Sequence, residues 1–128
     1  MPTDAPPFDG EHRISFSDGT LSGIEHYAGG VKNGPCEYWY RNGRKKAEGR
    51  FEAGAFTGEW VWWRENGELL QQGPFVAGEQ HGYWRRWHDN GVLLDEGLWV
   101  HGKRSGEWIS YDRDGAVRKV QRHPDREA

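Results

Sequence analysis

The chain has 128 residues, enough for one domain, with 17 basic and 20 acidic residues well mixed and a net charge of −3. That balance supplies neither the basic stripe that nucleic acid demands nor one suited to an anionic membrane. The single cysteine, Cys36, excludes an internal disulfide and a cysteine-based zinc site.

Only 34% of residues are hydrophobic, and the mean hydropathy is −1.01. Disordered chains share that profile but are poor in aromatics. This chain carries 8 Trp, 5 Tyr and 5 Phe. Each buried ring removes roughly 150–250 Å² from water, so a thin aromatic core is expected.

In chain order, residues 1–11 read as a tail. Their proline-rich, charged start is not a signal peptide, which leaves the cytoplasm as the expected compartment. A partial hairpin follows around Asp18-Gly19. Four units of 24 residues then succeed one another. Gly19, Gly43, Gly67, Gly91 and Gly115 end Asn-Gly or Asp-Gly pairs at that spacing. Further glycine columns are Gly30, Gly54, Gly78, Gly102; Gly34, Gly58, Gly82, Gly106; and Gly49, Gly73, Gly97, with Glu25 as the exception. These columns hold 16 of the 19 glycines, so glycine placement follows the repeat almost entirely.

The rings obey the same lattice. Trp60, Trp84 and Trp108 share a column with Cys36, and Trp39, Trp63 and Trp87 share one with Tyr111. Tyr27, Phe51, Phe75 and Trp99 form a third; Leu21, Leu69, Leu93 and Val117 form a fourth, broken by Lys45. In each unit a segment such as 58–64 reads as a strand. Asn66-Gly67 is a tight turn, 68–75 returns, and 78–82 is a loop to the next unit. Glycine at this density would cost a helix about 1 kcal/mol each. The expected fold is therefore all-β: an elongated, single, twisted antiparallel meander of about ten strands over residues 12–122, with 123–128 as a second tail.

The hairpin register has two solutions. With a two-residue turn, Trp60 faces Gly73 and Phe75 faces Gly58, which lays rings over cross-strand glycines. With a three-residue turn and a bulge, Trp63 faces Leu69. The first is favoured because it accounts for two glycine columns at once. In either case Trp60 and Trp63 have opposite strand parity; without a bulge between them, the sheet carries rings on both faces.

The segments Gly58-Glu59-Trp60 through Asn66-Gly67, then Gly73-Pro74-Phe75 through Gly78, resemble the MORN family (membrane occupation and recognition nexus repeats) in its bacterial variant form. Gly82-Tyr83-Trp84 through Asn90-Gly91 and Gly106-Glu107-Trp108 through Asp114-Gly115 repeat the pattern. The resemblance covers about residues 12 to 120 and departs from the pattern at Glu25, Cys36 and Lys45. It implies a twisted sheet of hairpins with a groove along one side. It also implies a non-enzymatic scaffold that binds a protein or peptide. Some bacterial relatives carry antitoxin-like labels, which makes neutralisation of a toxin partner the alternative. Lipid binding follows only from the family name, and the balanced charge argues against it.

No chemistry competes strongly with binding. The six histidines form no metal-ligand spacing. Glu59 and Glu107 would lie about 19 Å apart at ~4.8 Å per strand, too far to share one bond. Gly102 to Gly106 lacks the ending of a phosphate loop. No cofactor is implied. Cys36 suits a small buried hydrophobe. Columns that vary are free to carry specificity. Tyr38, Trp62, Arg86 and Ser110 form one, and Tyr40, Arg64, His88 and Asp112 form another. Tyr, Trp and Arg are enriched at binding hot spots, so Tyr38, Tyr40, Trp62, Arg64, Arg86 and His88 are the candidate contacts. Tyr38 and Trp62 also suit an aromatic core, with the arginines stacked on it. Arg85 and Arg86 lie next to Trp84 and Trp87, which suggests cation–π contacts. The first strand, near Ile14-Ser15-Phe16, leaves an open edge at which a second copy could pair.

Overall fold

The computed structural model describes residues 9–127. The expected N-terminal tail therefore lies outside the described residues up to position 8, and strand β1 begins at Gly10. Twelve strands follow in one sheet: β1 (Gly10–Ser15), β2 (Leu21–Ala28), β3 (Val31–Lys32), β4 (Gly34–Trp39), β5 (Lys45–Glu52), β6 (Ala55–Trp63), β7 (Leu69–Val76), β8 (Glu79–Gln80), β9 (Gly82–Trp87), β10 (Leu93–Val100), β11 (Lys103–Tyr111) and β12 (Val117–Arg122). Ten of them form an antiparallel meander in the order β1-β2-β4-β5-β6-β7-β9-β10-β11-β12, with the two-residue strands β3 and β8 pairing β2 and β7. No helix of the described residues is long and apolar enough to cross a membrane.

Both register solutions are present in every hairpin. Gly67 N–H donates to Arg64 O at 2.9 Å and Arg64 N–H to Glu68 O at 2.8 Å. This is a three-residue turn whose last residue, Gly67, sits at φ +91°, where an L side chain is strained. Trp63 then pairs with Leu69. One step further, Trp62 pairs with Gln71, so Leu70 is an extra residue. The bulge restores the other register, and Trp60 pairs with Gly73 and Gly58 with Phe75. Lys46 and Leu94 are the equivalent extra residues in the neighbouring hairpins.

The link between units is tighter than the loop expected over 78–82. Ala53, Ala77 and His101 have φ near +50°, and each is followed by a glycine at positive φ. Two such residues in succession make the turn that matches strand twist. Val76 then pairs directly with Glu79, and Phe75 with Gln80.

The glycine column at 49, 73 and 97 is explained by contact rather than by turn geometry. Trp60 is the Cα partner of Gly73, but its ring lies over Gly49 on the strand to the other side. A Cβ at Gly49 would stand 2.1 Å from that ring. Trp84 covers Gly73 and Trp108 covers Gly97 in the same way. Each indole N–H donates to the carbonyl just after its glycine: Arg50 O at 3.1 Å, Pro74 O at 2.9 Å and Leu98 O at 3.0 Å. Trp60 and Trp84 are each 2% exposed and Trp108 is 4%. Trp60 and Trp84 interlock with Phe51, Phe56, Trp62 and Phe75 at centroid separations of 4.1 to 6.4 Å, while Trp108 packs edge-on against Trp99 at 5.6 Å.

The first unit replaces both members of this pair together. Cys36 stands for the tryptophan and Glu25 for the glycine, and both are buried. The Glu25 carboxylate accepts from the Tyr38 and Tyr27 hydroxyls and pairs with Lys32 at 3.0 Å. Burial would raise the Glu25 carboxyl, but those donors outweigh it and hold it below its ordinary value. Burial pushes the Cys36 thiol up to about 11, so it is neutral at physiological pH. Lys45, the exception in the leucine column, lies over the Trp39 ring at 5.6 Å and pairs with Glu37 and Glu48.

Residues 123–126 are not a free tail. His123 N–H donates to Gly106 O at 2.8 Å, Arg126 N–H to Ser105 Oγ at 2.8 Å and Arg126 Nε to Arg104 O at 2.9 Å. The last bond takes the place of the one by which Gly102 N–H closes on Gln80 O in the preceding unit.

Candidate functional site: a trough across the strands

Three adjoining hollows run across the strands on the face that carries the aromatic layer. The first has a volume of about 770 Å³ and is walled by Ile14, Phe16, Tyr38, Tyr40, Phe56 and Trp62 among others. The second, about 600 Å³, shares Phe56 and Trp62 with it. The third, about 200 Å³, shares Gln71, Gln80 and Trp84 with the second and ends at Arg86, Asp95, Trp99 and Arg104. Shared walls make them one trough, crossing the sheet from β1 to β11.

The trough's floor is made by the fixed columns, and its character is set by columns that vary. Lys32, Phe56, Gln80 and Arg104 line it, one per unit. So do Ala47, Gln71 and Asp95. The first of these columns lies two residues after the glycines of the link. Reading that link as a loop hides it, although its change from Lys to Phe to Gln to Arg is visible in the repeat alignment.

The six candidate contacts divide among three places. Tyr38, Tyr40 and Trp62 meet in the first hollow. Trp62 stacks on Trp60 at 5.3 Å and remains partly exposed. Burial, and then the bond its hydroxyl donates to Glu25, lifts the ionisation of Tyr38 far above the ordinary tyrosine value. Arg86 lines the third hollow, where Nε and Nη2 donate to the Asp95 carboxylate at 3.0 and 2.5 Å. Asp95 is 6% exposed, whereas the Arg86 side chain that covers it remains open to solvent.

Arg64 and His88 line none of these hollows. Arg64 Nη2 donates to Trp87 O at 2.8 Å, and His88 Nε2 lies 2.8 Å from Tyr111 O. The Tyr40 hydroxyl donates to Trp63 O at 2.7 Å. Three different side chains of one column thus do one job, bracing a carbonyl 23 residues onward. The expected arginine–tryptophan contacts of the third unit are replaced. Arg85 lies over Tyr83 at 4.9 Å, Arg86 is held by Asp95, and the tryptophan-stacked arginine is Arg104, over Trp108 at 4.2 Å and Trp99 at 5.6 Å.

A meander of 24-residue hairpin units with a lateral trough defines a repeat-type binding module. Residues 56–77 and 80–101 match the family described as MORN repeat variant, and these two units are tandem repeats of that family. No curated protein matches the sequence. Among solved structures, the chain is similar to an S. aureus TarM mutant in complex with Fondaparinux, alpha-GlcNAc-glycerol and UDP, at 12% identity and a TM-score of 0.44, over 75% of this chain and 19% of that one. A second structure of TarM matches at 13% and 0.43, over 77% and 20%. A GtfA/B complex bound to UDP and GlcNAc matches at 14% and 0.35, over 94% and 25%. The chain spans about a fifth to a quarter of the length of those chains.

Proposed function

We propose that the chain is a non-enzymatic module that binds a segment of a partner protein in this trough, with Tyr38, Tyr40 and Trp62 gripping an apolar side chain. The observation that carries this reading is the first hollow, about 770 Å³ of open space walled mainly by aromatic rings. Ligand sites are concave and apolar with a few placed polar groups. Surface aromatics supply large contact area at low conformational cost. Tyr40, Trp62 and Phe56 are only partly buried within the chain, which leaves ring surface for a partner. Arg64 and His88 support this site indirectly, by fixing the spacing of the units that form it.

The test replaces Trp62 with Ala. Arg86 is left in place because removing it would strand the Asp95 carboxylate. Peptides selected on the native chain from a displayed library of random twelve-residue segments are expected to lose at least tenfold in affinity for Trp62→Ala, with the far-UV CD spectrum unchanged. Binding that is unaffected removes the hollow as the site. A dedicated toxin neutraliser would use the same surface. It is distinguished by capture of one partner at one-to-one stoichiometry from the native lysate. Flotation with anionic liposomes would instead point to lipid.

A further inference from the structure

We propose that the trough reads its ligand by a gradient of polarity, with Arg104 seating a carboxylate at the end opposite the aromatic hollow. This rests on the peptide-binding reading above and specifies the ligand. The unit-by-unit change is directional. The second unit offers Ala47, Phe56 and Trp62; the third offers Gln71, Gln80 and Arg86; the fourth offers Asp95 and Arg104.

The charges at the two ends are not equivalent. At the aromatic end Lys32 pairs with Glu25 and Arg41 with Asp18, while Lys46 lies over the Tyr40 ring at 5.7 Å and Glu65 also lines the hollow. At the far end Asp95 is taken by both donors of Arg86. Arg104 has no acidic partner among the described residues. Arg126 and Lys119 add positive charge beside it. Its guanidinium lies over the Trp108 and Trp99 rings, and that stacking leaves the in-plane N–H edge free. A carboxylate is the group that matches such a fork with two parallel hydrogen bonds. Between the two ends, the side-chain amides of Gln71 and Gln80 border both the second and third hollows. They suit the N–H and C=O groups of an extended backbone.

Geometry sets the spacing. Trp62 is on β6 and Arg104 on β11, four strand steps away along the order β6-β7-β9-β10-β11. At ~4.8 Å per step the distance across the strands is about 19 Å. The row of Trp62 runs through Gln71, Arg86 and Asp95, whereas Arg104 pairs with Trp99, further along β10; that offset adds about 13 Å at ~3.3 Å per residue. The diagonal of about 23 Å is covered by about seven extended residues. The ligand is thus a segment with a large apolar side chain and, about seven positions away, an Asp, a Glu or its own C-terminal carboxylate.

The experiment selects the same random twelve-residue library in parallel on the native chain, Arg104→Gln, Arg104→Met and Trp62→Ala. The methionine keeps apolar cover on Trp108 without the charge, and urea denaturation checks that each variant is folded. Native selections are expected to converge on an apolar and an acidic position at that spacing, and changing the acidic residue to its amide should weaken binding about tenfold. Both Arg104 variants should lose the acidic preference and keep the apolar one. Native binders without an acidic preference, or a preference that persists in both Arg104 variants, overturn the gradient and leave the aromatic site standing. Failure of the native chain to enrich any sequence, or enrichment indifferent to Trp62, overturns the peptide reading itself.

Discussion

Adding one methyl group at Gly73 would bring a Cβ to 2.2 Å from the Trp84 ring, a distance that neither the buried indole nor the strand can absorb. Gly54 carries a positive φ, which Gly73 does not, and nothing lies within 4 Å of its Cβ position. The two glycines therefore fail differently. Gly73→Ala forces a ring out of a close-packed layer and is expected to cost about 3 kcal/mol. Gly54→Ala meets only backbone strain, about 1 kcal/mol. Urea midpoints of the two variants, measured at equal m, give the comparison; equal losses would show that ring contact does not set the glycine column. Glu25 makes the same point from the opposite side. It tolerates a side chain because Cys36 has withdrawn the indole, and the vacated volume is filled by a carboxylate with three donors.

At the scale of the element, the hairpin turn ties units together as well as reversing the chain. Asn90 Oδ1 accepts the Val92 N–H at 3.0 Å, which shapes the turn, while its Nδ2 donates to Arg113 O in the next unit at 2.9 Å. Asn42 does the same toward Arg44 and Glu65. The terminal turns carry Asp18 and Asp114 instead, which keep the acceptor and have no donor to offer. Among the described residues Asp114 makes no hydrogen bond to a later carbonyl. Asn90→Asp should therefore destabilise by about 1 kcal/mol through the orphaned carbonyl, whereas Asp114→Asn should be close to neutral. Thermal melts of the pair decide whether the amide acts between units.

Across the described residues, the two end strands differ from those in the middle. Gln121 pairs with Trp108 at the position where Gly97 pairs with Trp84. His12 occupies the tryptophan column in β1. Head-to-tail continuation thus lacks its ring-on-glycine pair, and β1 against β1 is the route by which two copies could still join. Stability against pH is also a property of the whole stack, because its buried charges lie at separate points along it. Glu25 and Glu96 both titrate below their ordinary value of 4.5, Glu25 because its donors outweigh burial, Glu96 chiefly through the Tyr111 hydroxyl. Depressed carboxylates stabilise the fold above the unfolded-state value and lose that contribution as pH falls below about 4.5. Cys36 acts at the other end. Its raised value means a contribution that is present below the ordinary 9.0 and disappears as pH climbs towards about 11. The denaturation midpoint should be flat between these limits and fall outside them. Glu25→Gln should flatten the acid limb, and Cys36→Ala the alkaline limb.

The period, the hairpins and the identity of the floor were legible in the chain alone, because a 24-residue spacing of glycines and rings is a local pattern repeated. Turn residues act through their own φ, and strand parity needs only neighbours in sequence. The groove itself could be anticipated only through a family resemblance. What sequence could not decide were relations between units. A bulge at Leu70 let both hairpin registers hold at once. Trp60 covers the glycine before it rather than the one it pairs with. Tyr40, Arg64 and His88 are chemically unlike, so nothing in their identity marks them as one set of braces. The column ending in Arg104 sits in a segment that reads as a loop. Each of these depends on which strand lies beside which and how the rings tilt, and that is settled only when separate hairpins pack.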